Sequence, residues 1–223
     1  MMQKTKNELP INELIARDRF FETEFRAEST DDSNKIIGRP AVYGQQTNIG
    51  GMFFEVIDRG AFDETDFTDV LLFINHKIDK IPLARSRRNN GSSTMLIKPD
   101  DEGILIDASV DTDNHYEAKA LYSAVSRGDI KGMSFMFRVK EQKWENLDSD
   151  MPTRRITKVA KVFEVSAVNW PAYEGTDINA RDARSLESDL KALESARAAL
   201  DNAKPKSSEL EVLKLKSKIL GGK

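Results

Sequence analysis

Short runs in which apolar and polar residues alternate fill the middle of the chain, and their period of two predicts strands. Arg19–Phe25 alternates, with Phe21, Thr23 and Phe25 on one side, and Ile36–Tyr43 follows with Gly38 and Pro40 interrupting it. Met52–Ile57 leads into the turn Asp58-Arg59-Gly60, and Thr94–Lys98, Ile104–Val110, Met133–Glu141 and Arg155–Val168 complete the set. Pro99–Gly103 joins two of these runs as a hairpin turn. One segment changes period. Ala118, Leu121, Tyr122 and Val125 recur at helical spacing, which predicts a helix from about Asn114 to Arg127 ended by Gly128. Several short strands with one or two helices place the chain in the α+β class, with a barrel or sandwich core.

The pattern also divides the chain into three zones. Residues 1–17 are polar, contain Pro10 and read as a loosely ordered lead-in, and residues 18–180 hold the strand-rich domain. From Arg181 onward the composition turns to Ala, Leu, Lys, Glu and Ser, and the aromatics vanish. Leu186, Leu190, Leu193 and Leu200 form one helical stripe, broken near Pro205, and Leu210, Leu213 and Leu220 begin a second. Such narrow stripes suit a partner helix, a short coiled coil, or an amphipathic tail resting on the domain.

Composition narrows the chemistry. The chain has 223 residues, 39% of them apolar, enough for one sizeable core. A formal net charge of -3 implies no basic face, so no nucleic-acid partner is expected, and Arg85-Ser86-Arg87-Arg88 reads as a solvated loop. Cysteine is absent, which removes thiol nucleophiles, disulfides and Cys-ligated metals together. With only His76 and His115, a three-His zinc site and an H-E-x-x-H motif are ruled out, and no cofactor is expected. The longest apolar stretches, Val70–Ile74 and Ile104–Ile106, are too short to span a bilayer, and the N-terminus lacks a signal-peptide core. Neither a membrane partner nor secretion is expected.

Three residues stand where chemistry is feasible. His76 follows an apolar run beside Asn75, so a strand end delivers an imidazole, as either a catalytic group or a packed structural one. His115 falls at the helix start, near the cap. Ser134 comes after the helix end at Gly128 and a turn through Gly132, at the start of a strand. There it would be held rigidly and still reach an open site, although most serines of such a chain lie in turns or on the surface. Glu164 lies within the apolar run Val162–Val168, where a carboxylate needs a partner to offset desolvation. It shares a strand face with Ser166 and Val168. Its partner could be the Nδ1 proton of His76 or a nearby arginine, and Asp79 is a rival orienter of the histidine.

The motifs taken in order carry a resemblance. They are Gly38-Arg39-Pro40-Ala41-Val42-Tyr43, then Phe54-Glu55-Val56-Ile57-Asp58-Arg59-Gly60-Ala61-Phe62, then Asn75-His76. Gly128-x-x-x-Gly132-Met133-Ser134-Phe135, Glu164-Val165-Ser166-Ala167-Val168 and Pro171-Ala172-Tyr173 follow. Across about residues 18–180 the chain resembles the prohead (procapsid maturation) proteases of HK97-like tailed phages. The resemblance implies a serine endopeptidase with Ser134 as nucleophile, His76 as general base and, by position, Glu164 as the acidic third member. Those proteases are in turn similar to the herpesvirus assemblins, which implies a closed or partly closed β-barrel flanked by a few helices. It also points to backbone N–H groups at Ala172 and Tyr173 as oxyanion donors. The third assemblin residue is a second histidine, but His115 precedes Ser134 and cannot fill that place in chain order. Ala84 stands where the family usually shows glycine.

The implied substrates are scaffold protein or N-terminal segments of the major capsid protein precursor, together with the protease itself. The implied place is the interior of the procapsid in the host bacterial cytoplasm, with room for a homo-oligomer and with the tail after Arg181 docking to scaffold or being trimmed. Two other readings are a non-catalytic module that binds scaffold or capsid protein, and an esterase using the same Ser-His pair. Against the esterase stands the lack of a G-x-S-x-G elbow.

Overall fold

A computed structural model describes residues 15–19, 25–29, 33–169, 180–203 and 216. In chain order the elements are β1 (Ile15–Arg19), β2 (Phe25–Ser29), β3 (Asn34–Val42), β4 (Thr47–Ile49), β5 (Phe53–Ile57), β6 (Leu71–Ile74), β7 (Ala84–Arg85), β8 (Met95–Pro99) and β9 (Gly103–Val110). Then come α1 (Tyr116–Arg127), β10 (Gly132–Glu145), β11 (Thr153–Val168) and α2 (Ala180–Ala203). Seven strands form one sheet in the order β1-β10-β11-β5-β4, with β6 also on β11 and β7 on β6. Four form a second sheet, β2-β3-β9-β8. Among the described residues the pairings therefore give two sheets, meeting where β3 lies against β10, and do not close into one barrel.

The frame of the molecule is the antiparallel hairpin β10–β11. Its register shifts between Met136 and Gln142 are bulges, which bend the pair and increase its twist. On its other edge β11 takes two parallel partners in succession. Thr153–Ile156 pairs with Phe54–Ile57 of β5, and Glu164–Ala167 pairs with Leu71–Ile74 of β6. Between them the connection crosses β11 through one bridge, Asp66 to Lys161, while the Thr65 hydroxyl donates to the Val159 carbonyl at 2.9 Å. This crossing sends β6 toward the Val168 end of β11, which is what carries His76 to Ser134.

The core lies between the sheets. Phe135 and Phe137 stack at 4.4 Å between ring centroids, and Phe62 meets Phe135 edge-on at 6.1 Å. Leu72, Ile104, Ile106, Val159, Val162 and Val165 are fully buried around them. Helix α1 adds Ala118, Leu121 and Val125 and ends at Gly128, whose φ of 75° is the left-handed C-terminal cap expected there. Gly103 opens β9 at a φ of 152°, and a Cβ there would stand 2.0 Å from the Ala41 carbonyl oxygen, so only glycine fits the β3–β9 pairing.

The expected strand over Arg19–Phe25 lies mostly outside the described residues. β1 ends at Arg19 and β2 begins at Phe25, and residues 20–24 lie outside the described part. Gly38 and Pro40 interrupt the ladder as a bulge between Gly38 and Ala41 without ending β3. Ala84 is buried within β7 opposite Leu72, so its methyl is accommodated. The stripe Leu186-Leu190-Leu193-Leu200 falls on α2 and its residues are buried or half-buried against the domain, while the second stripe lies outside the described residues.

Helix α2 is also held by charge. Arg154 of β11 reaches Asp189 of α2 at 2.7 Å and Glu55 of β5 at 3.1 Å, and its Nε donates to Gln142 at 2.7 Å. All three charged residues are at most 3% exposed. A buried guanidinium between two carboxylates is costly to remove, because it leaves two charges without compensation. Arg154→Met is expected to cost about 3–5 kcal/mol in urea unfolding, the range for breaking a buried pair. A second prediction concerns acid. Burial pushes the Asp66 carboxyl up, but hydrogen bonds from Lys161 and Thr68 outweigh it and hold it at about 2. A carboxyl whose folded pKa is depressed stabilises the fold above its unfolded pKa, and that contribution is lost as pH falls through the folded value. Urea midpoints should therefore fall between about pH 4 and 2, and less steeply in Asp66→Asn.

Candidate active site

Ser134 is the third residue of β10, and its Cα partner on β11 is Ser166. Directly opposed residues point to the same face of a sheet, and Glu164, two residues before Ser166, shares that face. The odd positions Met133 and Phe135 point the other way, and the Phe135 ring goes into the core. Period-two alternation thus separates the face of this hairpin that carries Ser134, Glu164 and Ser166 from its packing face.

His76 arrives from β6. Ile74 ends that strand beside Ala167, and the chain turns through Asn75 and His76, at φ 50° and 54°, with the Lys77 N–H donating to the Ile74 carbonyl at 3.2 Å. Two successive positive φ values with that hydrogen bond describe a type I′ turn, which asparagine tolerates better than most residues. Asn75 is pinned on both sides. Its N–H donates to the Ala167 carbonyl at 2.9 Å, and its side-chain oxygen accepts the Asn169 N–H at 3.1 Å. The turn folds the imidazole back over the Ser134–Ser166 face.

The result is a connected line. His76 Nε2 is 2.6 Å from the Ser134 hydroxyl, and His76 Nδ1 meets Glu164 Oε1. The second Glu164 oxygen accepts the Ser166 hydroxyl at 2.7 Å, and the Ser166 oxygen accepts the His76 backbone N–H at 3.1 Å. Ser134 and Ser166 have no exposed surface, Glu164 is 2% exposed, and the His76 side chain is 14% exposed. A carboxylate this deep is stable as an anion only if its oxygens are hydrogen-bonded, and here both are. In the tautomer whose Nδ1–H donates to Glu164, Nε2 is the nitrogen that faces the Ser134 hydroxyl as an acceptor.

A family model for the caudovirus prohead serine proteases matches residues 21–191. The chain belongs to that family. As a prohead serine protease it is a hydrolase of phage capsid maturation. Among solved structures, the bacteriophage T4 capsid assembly protease gp21 is 14% identical, with 71% of this chain and 98% of that chain covered at a TM-score of 0.41. No curated protein matches.

The structure brings together three of the residues singled out in this prohead protease, Ser134, His76 and Glu164. Of the partners open to Glu164, the structure supplies the histidine and Ser166. Asp79, the rival orienter, is exposed. His115 is the N-cap of α1, its Nδ1 accepting the Ala118 N–H at 3.3 Å, which is a structural role. Ala172 and Tyr173 lie outside the described residues. Ser166 and the turn-forming role of Asn75 escaped the sequence reading. The signal for Ser166 was its place on the Glu164 face, and for Asn75 its adjacency to the histidine. No described helix is long and apolar enough to cross a membrane.

Proposed function

We propose that this protease is an endopeptidase that cuts scaffold protein or N-terminal segments of the major capsid protein precursor, and itself, inside the procapsid. In this reading Ser134 is the nucleophile, His76 the general base and acid, and Glu164 the group that orients the imidazole. The observation that supports it most is the unbroken hydrogen-bonded line from the Ser134 hydroxyl through both His76 nitrogens to the buried Glu164.

The chemistry follows from that line. Ser134 Oγ attacks the scissile carbonyl carbon while His76 Nε2 takes its proton, and Glu164 stabilises the resulting imidazolium. Collapse of the tetrahedral intermediate breaks the C–N bond, and the leaving amine takes the proton from Nε2. Water then repeats the sequence on the acyl-enzyme and releases the acid. Backbone N–H groups at Ala172 and Tyr173 are the proposed oxyanion donors, a contribution of roughly 3–4 kcal/mol in such sites.

Two structural facts bear on the setting. Ser134 has no exposed surface, so a peptide reaches it only after the site opens, as a protease held latent until assembly requires. The buried Arg154–Asp189 pair ties the first half of α2 to the catalytic domain. In this reading, scaffold docking or trimming falls to the tail beyond that half.

Intact masses of the wild type and Ser134→Ala, alone and co-assembled with the capsid protein precursor, test the proposal. Cleavage in the wild type only is expected. Equal cleavage in both would remove Ser134 as nucleophile, and no cleavage in either setting would make the chain a non-catalytic assembly module. Where cleavage occurs, its rate should fall in acid, because a protonated His76 cannot take the serine proton. Glu164→Gln should lower it on the order of 10³- to 10⁴-fold, the loss found when a triad acid becomes an amide.

A further inference from the structure

A glutamate does not fix its own carboxylate plane, because rotation about its last torsion is broad. At this site the plane is fixed from outside. Oε1 faces His76 Nδ1, and Oε2 accepts the proton of Ser166 at 2.7 Å. The oxygen of that same serine accepts the backbone N–H of His76 at 3.1 Å. These contacts form a closed ring. It leaves His76 through its backbone, passes through the Ser166 hydroxyl and the Glu164 carboxylate, and returns to His76 through its imidazole.

We propose that Ser166 is a positioning residue of the protease, orienting Glu164 and anchoring His76 so that the imidazole stays in the Nδ1–H form with Nε2 toward Ser134. The inference rests on the catalytic reading of Ser134, His76 and Glu164. It adds a fourth residue to which neither that reading nor the family assignment gives a role.

Three observations carry it. Ser166 has no exposed surface, so water does not compete for its hydroxyl. A hydroxyl has one proton to donate, and here it goes to the carboxylate, which leaves the oxygen lone pairs to accept. His76 sits at φ 54°, in the left-handed region that few non-glycine residues occupy, and the ring supplies a tether to its N–H. The same facts separate Ser166 from a nucleophile. Its contact with His76 is to the backbone, and its proton is directed to an acid and not to the imidazole.

Side-chain size is part of the device. Ser166 is the direct cross-strand partner of Ser134, so the imidazole lies over two small residues. Alanine would keep that space but leave one carboxylate oxygen and one backbone N–H buried without these partners. Threonine would keep the hydroxyl.

The chain holds only two histidines, so ¹⁵N-histidine NMR of the full-length protein reads His76 directly, with His115 as an internal control. In wild type the neutral His76 is expected as the Nδ1–H tautomer. In Ser166→Ala it should become a mixture with the Nε2–H form while His115 is unchanged, and Ser166→Thr should restore the wild-type signature. On a peptide spanning the mapped cleavage site, kcat should fall about 10- to 100-fold in Ser166→Ala, the loss of one hydrogen bond to a charged group, with KM little changed. Should the alanine variant not fold, Ser166→Cys keeps the volume with a weaker donor and should move both readouts in the same direction. A His76 tautomer and kcat unchanged in a folded Ser166→Ala or Ser166→Cys protein would overturn the inference. Cleavage surviving in Ser134→Ala would instead overturn the catalytic reading on which it rests.

Discussion

A carboxylate with 2% of its surface exposed sits in a strand whose neighbours Val162, Val165 and Ala167 are fully buried, and the arrangement of the site follows from how that charge is accommodated. Taken out of water, an isolated carboxylate would take up a proton before it stayed charged. Glu164 meets instead an imidazole N–H on one oxygen and a hydroxyl on the other. The partners that make its burial tolerable are also the ones that aim His76. Stability of the charge and orientation of the imidazole are therefore one requirement, met by one set of hydrogen bonds.

The same strand carries a second buried charge cluster, and the two differ in a useful way. At its start, Arg154 lies between Glu55 and Asp189 and ties together β5, β11 and α2. Near its end, Glu164 ties β11 to the turn after β6 and, through His76, to β10. The first cluster joins three elements through one guanidinium and two carboxylates, so it acts as a fixed joint. The second includes an imidazole that also contacts the Ser134 hydroxyl. β11 thus carries a purely ionic joint at one end and an imidazole-containing one at the other. Its switch of parallel partner from β5 to β6 is what separates them.

Most of the frame was legible because alternation is a local signal. The runs ending at Ile57, Val110 and Val168 match strand ends, and the helical period before Gly128 matches α1. β4 and β7, of three and two residues, are too short for alternation to register and exist through their pairing to β5 and β6. The division of the described strands between two sheets could not be read either, since it depends on which strands pair at long range. For the site, period two placed Glu164 and Ser166 on one face. What it could not show was that β6 runs parallel to β11 in a register that sets Ile74 beside Ala167. That register, with the I′ turn at Asn75-His76, converts three separate motifs into one line of contacts.

The division of the site between strong and weak elements limits how it can open. Ser134 and Glu164 stand in the two longest strands, held by a ladder that runs the length of the hairpin. His76 stands on a turn after a four-residue strand, and is followed by the exposed residues Lys77 to Ile81. By local stability that side would move first, since short peripheral elements open at lower cost than a central hairpin. Yet a movement of the His76 turn would separate the imidazole from the Ser134 hydroxyl. The ring through Ser166 opposes it by fastening the histidine backbone to β11 itself. Among the described residues, the other flank of Ser134 is β1, which pairs with β10 and sets Asp18 opposite the serine. Movement of β1, unlike movement of the turn, would leave every contact among Ser134, His76, Glu164 and Ser166 in place, because none of those residues stands on it. An opening that keeps this line of contacts intact is therefore one in which the turn holds.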